Sequence, residues 1–195
     1  MRAVVINCTL KATPQLSATE ALADVVADSL RERGVEVSAF RAADLSLPSG
    51  TATDMGGSDA WPGVHDLLTG ASVLLVASPA RLGRPSSLAW RVLERMSAMR
   101  SETGEDGRPL AYDRVAGVVA TGEEDGARHA ACGICGALAD IGYTIPGHAW
   151  IHAPGDPREA ARDRPRALRA AGALAANLVT TARALEAHPL ERPPS

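Results

Sequence analysis

The 195 residues suffice for one domain with a substantial core and leave no room for a second of any size. A formal net charge of -3, from 20 Lys and Arg against 23 Asp and Glu, with no basic stripe interleaved with aromatics, argues against nucleic acid as a partner. No apolar run approaches bilayer-spanning length, the chain starts directly on a strand pattern, and its three cysteines cannot make a complete disulfide framework, so the expectation is a cytoplasmic protein with free thiols and no membrane partner.

Ala3-Val4-Val5-Ile6 is a short continuous apolar run, the pattern of a strand covered on both faces. Ser17 followed by Glu20 makes a capping-box pattern, and Leu22, Val25, Val26 and Leu30 recur at helical spacing, which predicts a helix from Ala18 to Arg33 ended by Gly34. Val35, Val37 and Ala39 alternate with polar residues up to Phe40, as in a strand near the sheet edge. Leu45 to Ala60 turns to Ser, Thr, Gly, Pro and Asp and reads as a long surface loop. A short helix over Trp61–Leu68 and a third strand over Val73–Ala77 follow. Leu88, Val92, Leu93, Met96 and Met99 then mark a helix beginning near Ser86 or Ser87.

Ser101 to Asp113 is a polar connection, Val115–Ala120 a fourth strand, and Ala127–Ile141 a fourth helix closed by Gly142. Tyr143–Ile145 and Ala149–His152 are halves of a fifth strand interrupted by Pro146-Gly147, the second half being the edge. Arg166–Glu186 reads as the last helix, with Leu168, Ala171, Ala175, Leu178, Ala182 and Leu185 on one stripe. The expected layout is one domain over residues 1–188 and a flexible tail over 189–195, where Pro189, Pro193 and Pro194 stand. Strands alternating with helices require parallel pairing and right-handed crossovers, which gives an α/β three-layer α/β/α sandwich.

Ligands bind such sheets at the carboxyl ends of the strands, so the loops after the first, third and fourth strands are the candidate site. The first carries Thr9, Ser17 and Thr19 hydroxyls and Lys11, the chain's one lysine, just before a helix N-terminus suited to a monophosphate. It lacks both the dinucleotide glycine fingerprint and the Walker pattern. From spacing alone, Ser17 serves equally as a helix cap and Lys11 as a solvated residue. Gly83, Gly122 and Gly126 in the other two loops permit close backbone approach to a heterocycle, although ordinary turns use the same residues. Cys132 and Cys135, three apart on the fourth helix, share a face that would suit a redox dithiol or, with His129, a metal, but among Ala, Gly, Ile and Leu they read first as small residues packing helix on sheet, with no metal site. No acid or base spacing singles out a catalytic residue.

Asn7-Cys8-Thr9-Leu10-Lys11, Ser17-Ala18-Thr19-Glu20, Ser78-Pro79 with Leu82-Gly83 and Pro85-Ser86-Ser87, and Thr121 to His129 together resemble the NADPH-dependent FMN reductase branch of the flavodoxin-like superfamily, and Ala137 to Pro146 is similar to the same family. The resemblance covers the chain to about Trp150. It implies a five-stranded parallel sheet of order 2-1-3-4-5, bound FMN, NADPH or NADH as hydride donor, a small-molecule electron acceptor, and a homodimer or homotetramer. By the same resemblance Thr9, Lys11, Ser17 and Thr19 hold the FMN phosphate, Pro79, Arg81, Leu82 and Gly83 lie along the isoalloxazine, and Thr121, Gly122, Glu123 and Gly126 stand on its other side. Three departures mark this chain: Ala80-Arg81 where relatives place an aromatic, Glu123 where an amide is common, and a short region after Trp150. They support an alternative, a flavodoxin-like protein with a degenerate flavin site acting in binding, electron transfer or flavin-independent chemistry.

Overall fold

In the computed structural model, which describes residues 1–155 and 164–191, five parallel strands form the central layer. They are β1 (Arg2–Asn7), β2 (Glu36–Arg41), β3 (Val73–Arg81), β5 (Val115–Thr121) and β6 (Trp150–Ala153), in spatial order β2-β1-β3-β5-β6. Numbered without the two-residue β4 (Arg84–Pro85), that order is the expected 2-1-3-4-5. The strand alternation decides the layers. Val4 and Ile6 of β1 face one way, into a core with Trp61, Met96, Ile134 and Leu138, whereas Ala3 and Val5 face the other, against Leu22, Val26, Leu30, Leu174 and Leu178. Thus α2 (Trp61–Thr69), α3 (Ser87–Met96) and α4 (Glu124–Ile141) cover one face, and α1 (Ala18–Arg31) and α5 (Arg164–Ala187) cover the other.

Several details differ from the sequence reading. The segment after Ser78 is a tight hairpin: β3 runs on to Arg81 and pairs antiparallel with β4 (Arg84–Pro85), the two being joined by Leu82 and Gly83 at φ 51° and 70°. Two successive left-handed residues match the twist of a two-residue hairpin turn, and glycine at the second position lowers its cost. Tyr143 to Ile145 makes only a single bridge, Thr144 to Val115, so the fifth strand is the second half alone. Helix α4 begins at Glu124, three residues before the expected start, and α1 ends at Arg31. Leu168, placed on the buried stripe of the last helix, is exposed, while Leu174 and Val179 join that stripe. Pro193, Pro194 and the polar stretch over 156–163 lie outside the described residues.

The long polar segment after β2 is anchored from beneath by Arg95 of α3. Its guanidinium is fully buried, pairs with Asp59 at 2.6 Å, donates to the Pro48, Ala52 and Thr53 carbonyls, and lies over the Trp61 ring. This cluster holds the Asp59 carboxyl down at about 2, chiefly through the Arg95 hydrogen bonds. Burying a guanidinium demands partners for its donors; the loop carbonyls and Asp59 meet both terminal nitrogens, while Nε is buried without a partner.

Candidate flavin-phosphate site

At the carboxyl end of the sheet, the exits of β1, β3, β5 and β6 surround a cavity of about 910 Å³. All twelve residues expected from the sequence line it: Thr9, Lys11, Ser17 and Thr19 from the first loop and helix, Pro79, Arg81, Leu82 and Gly83 from the hairpin, and Thr121, Gly122, Glu123 and Gly126 from the exit of β5. The structure adds Leu10, Ala18, Ala80, Glu124, Pro154 and Gly155. The last two follow β6, a fourth strand end whose position on the crevice was inferable from strand order. No aromatic side chain is among these eighteen residues.

The first loop ends at a half-formed capping box. Ser17 Oγ accepts the Glu20 amide at 3.2 Å, but the Glu20 carboxylate turns away from the helix start to Arg41. The hydroxyl of Ser17 keeps its own proton to donate, and the Ala18 and Thr19 amides have no partner within the helix, so the start of α1 presents donors to the cavity. Thr9 is buried; its amide donates to Asn7 Oδ1 at 3.1 Å and its hydroxyl accepts weakly from the Lys11 amide at 3.4 Å. The Lys11 ammonium donates to the Leu16 carbonyl at 2.8 Å, closing the loop on itself while leaving two further donors. The Thr19 side chain is also buried, with Oγ1 2.6 Å from Oγ1 of Thr121.

The hairpin and the exit of β5 touch each other and make one continuous wall. A Cβ on Gly122, whose φ is 150°, would stand 3.1 Å from Ala80 Cβ, and one on Gly126 would meet Gly83 Cα at 3.5 Å. Only glycine at 122 allows that approach without displacement. The hairpin is also moored to β1: Ser86 Oγ donates to the Cys8 carbonyl at 2.7 Å, caps α3 by accepting the Ala89 amide at 3.1 Å, and its own amide donates to Ser78 Oγ at 3.0 Å. Glu123 stands at the N-cap of α4 without a side-chain cap, and Glu124 and Asp125 occupy the first turn, where the helix dipole favours acids.

The cysteines take no part in the cavity. Cys8 is buried and its thiol is pushed up to about 12 by that burial; Cys135, half-buried, is raised to about 11 for the same reason, and Cys132 is exposed. Trp150 packs on the α4 side of the sheet under the Arg128 guanidinium, 5.6 Å from the ring centroid. Among the described residues no helix is long and apolar enough to cross a membrane.

A parallel sheet of this order, layered between helices and with a cavity at the carboxyl ends of its strands, defines a flavodoxin-like protein. The chain belongs to the NADPH-dependent FMN reductase family, whose family model matches residues 1–156. It is 28% identical over 163 residues to the 8-demethyl-8-aminoriboflavin-5'-phosphate synthase of Streptomyces davaonensis, covering 77% of this chain and 63% of that protein. Over 158 residues it is 39% identical to a protein of Mycobacterium bovis named divalent metal cation transporter MntH, covering 77% of this chain and 23% of that one. It thus spans less than two thirds of either curated relative. The crystal structure of RosB with bound 8-demethyl-8-formylriboflavin-5'-phosphate is similar at 27% identity and a TM-score of 0.86, over 97% of this chain and 82% of that one.

The residues present fit FMN. Hydroxyls, helix-start amides and an ammonium gather at one end of the cavity, and a wall thinned by Gly83, Gly122 and Gly126 stands beside it, as a phosphate and a flat ring system require.

Proposed function

We propose that this protein is a flavin-dependent NAD(P)H oxidoreductase that binds FMN in the cavity at the carboxyl end of its sheet. The observation that supports this reading is the convergence of Thr9, Lys11, Ser17, Gly122 and Gly126, from separate loops, on one cavity. FMN held there would supply the redox chemistry, two-electron transfer from NADPH or NADH to a quinone, flavin or other small acceptor with protons from solvent. The protein's own part is positioning. Thr9, Ser17 and Lys11 hold the phosphate, the hairpin backbone lies along the ring edge, and Arg81 at the mouth sets a positive charge that favours the reduced, more anionic flavin. The cytoplasmic setting and homo-oligomeric state expected from the sequence are part of the same reading.

The test is optical. FMN added to the purified protein is expected to be retained on gel filtration, to absorb at about 450 nm and to bleach with NADPH under argon. A protein that takes up no FMN from excess overturns the reading.

A second reading treats the flavin phosphate as an exchangeable substrate whose ring is modified. The absence of any aromatic among the lining residues favours it, because the ring is then gripped by backbone and by small side chains, and the large apolar ones, Leu10 and Leu82, are 53% and 103% exposed. Likeness to RosB with a riboflavin-phosphate intermediate supports it as well. Mass spectrometry of the recovered flavin separates the two: unaltered mass after NADPH turnover supports the oxidoreductase, and a changed ring substituent supports the second.

A further inference from the structure

Arg41 is the last residue of β2, lies outside the cavity and is only 8% exposed. Its guanidinium forks onto Glu20 of α1, with Nε 2.6 Å from Oε1 and Nη2 bonded to Oε2, and its remaining arm donates from Nη1 to the Lys11 carbonyl at 3.2 Å. Three residues on, the Asp44 carboxylate accepts from both the amide and the hydroxyl of Thr13, at 2.9 and 2.7 Å. The exit of β2 therefore grips the β1 to α1 loop at two points, and the loop's exposed residues 10–16 have their outer side fixed.

We propose that Arg41 is a positioning residue for the flavin phosphate: it neutralises Glu20, which immediately follows the donors Ser17, Ala18 and Thr19, and it fixes the backbone that carries Thr9 and Lys11. This rests on the flavin-phosphate reading above. The charge argument is specific. Glu20, Asp24 and Asp44 all face Arg41, so without it three carboxylates would stand behind a site meant for a dianion. A bidentate fork meets both oxygens of Glu20, which a lysine cannot do, and the arrangement keeps that acid out of the reciprocal capping bond that would bring it to the start of α1.

The experiment compares FMN with riboflavin, the same ring without phosphate, by fluorescence titration of the flavin-free protein. Arg41→Gln is expected to weaken FMN binding at least about tenfold while riboflavin affinity moves less than about twofold, and Glu20→Gln added to Arg41→Gln to restore most of the loss. Arg41→Lys is expected to fall between. Equal losses for both flavins, or no recovery in the double variant, would reduce Arg41 to a support of the fold and overturn the proposal. If Arg41→Gln does not fold, Glu20→Gln alone decides: FMN affinity held or tightened supports it, and an FMN-specific loss overturns it. A wild-type protein that binds neither flavin removes the parent reading instead, whereas one that binds both equally tightly leaves a flavin site but overturns this proposal together with the phosphate roles of Thr9, Ser17 and Lys11.

Discussion

Thr19 and Thr121, 102 residues apart, meet hydroxyl to hydroxyl at 2.6 Å; both line the cavity and both side chains are buried. The bond joins the first turn of α1 to the end of β5, so it ties the helix start that follows the first loop to the opposite wall of the cavity. Either hydroxyl can donate, and the one that does not keeps a proton for a ligand. Replacing Thr121 by Val leaves Thr19 with an unmet buried hydroxyl and is expected to cost about 1–3 kcal/mol in denaturant unfolding. Adding Thr19→Val is expected to cost little more, because the orphaned group is then removed. Full additivity of the two would show that the hydroxyls do not act as a pair.

Lys11 and Arg84 are both exposed cations near the mouth, but only Lys11 lines the cavity. Lys11→Ala is therefore expected to weaken FMN about tenfold and Arg84→Ala hardly at all, read by fluorescence titration at fixed salt. Equal affinities would place the phosphate elsewhere.

Arg81 occupies the wall position where a stacking ring is missing. Exchange for Trp is expected to tighten flavin binding several-fold, since base-like stacking on an aromatic contributes about 1–3 kcal/mol per ring. No gain in the same titration would show that the hairpin does not face the isoalloxazine.

At Gly122 the backbone requires glycine twice over, for its φ of 150° and for the 3.1 Å between a new Cβ and Ala80. Gly122→Ala is expected to displace the hairpin, to destabilise the fold by about 1–3 kcal/mol and to lower FMN affinity. Wild-type affinity and unchanged thermal midpoint would contradict the contact.

The buried Arg95 and Asp59 pair sets a pH window. Asp59 is held at about 2, below its ordinary 3.8, mainly by the Arg95 hydrogen bonds. A lowered carboxylate contributes stability that is complete above the ordinary value and is lost as pH falls through the folded one. Wild-type stability is therefore expected to decline between about pH 4 and 2, and Asp59→Asn to flatten that part of the profile. At neutral pH, Arg95→Ala is expected to cost about 3–5 kcal/mol because it strands a buried charge. A wild-type profile as flat as that of Asp59→Asn would refute the assignment.

Local pattern sufficed for the five parallel strands, the five helices and the place of the crevice, though not for the β4 hairpin, the extent of the fifth strand or the helix ends. Continuous apolar runs such as Val73–Ala77 and the 3.6-residue recurrence of Leu22, Val26 and Leu30 are set by nearest neighbours along the chain, and once strands alternate with helices, parallel pairing brings the strand exits together. That is why the loops after the first, third and fourth strands, with the twelve residues that the family resemblance named on them, line one cavity. What those residues do with their hydrogen bonds was decided by folding. Ser17 and Glu20 carry the pattern of a reciprocal cap, yet Glu20 is taken by Arg41, 21 residues away, and the Thr19 hydroxyl by Thr121. Likewise Arg95 looks like one more polar position on an amphipathic helix, and only the fold places Asp59 and the Pro48, Ala52 and Thr53 carbonyls around it. Spacing along a helix or strand determines which face a side chain takes; which distant partner meets it there depends on how the layers close, and that choice determines which donors remain for a ligand.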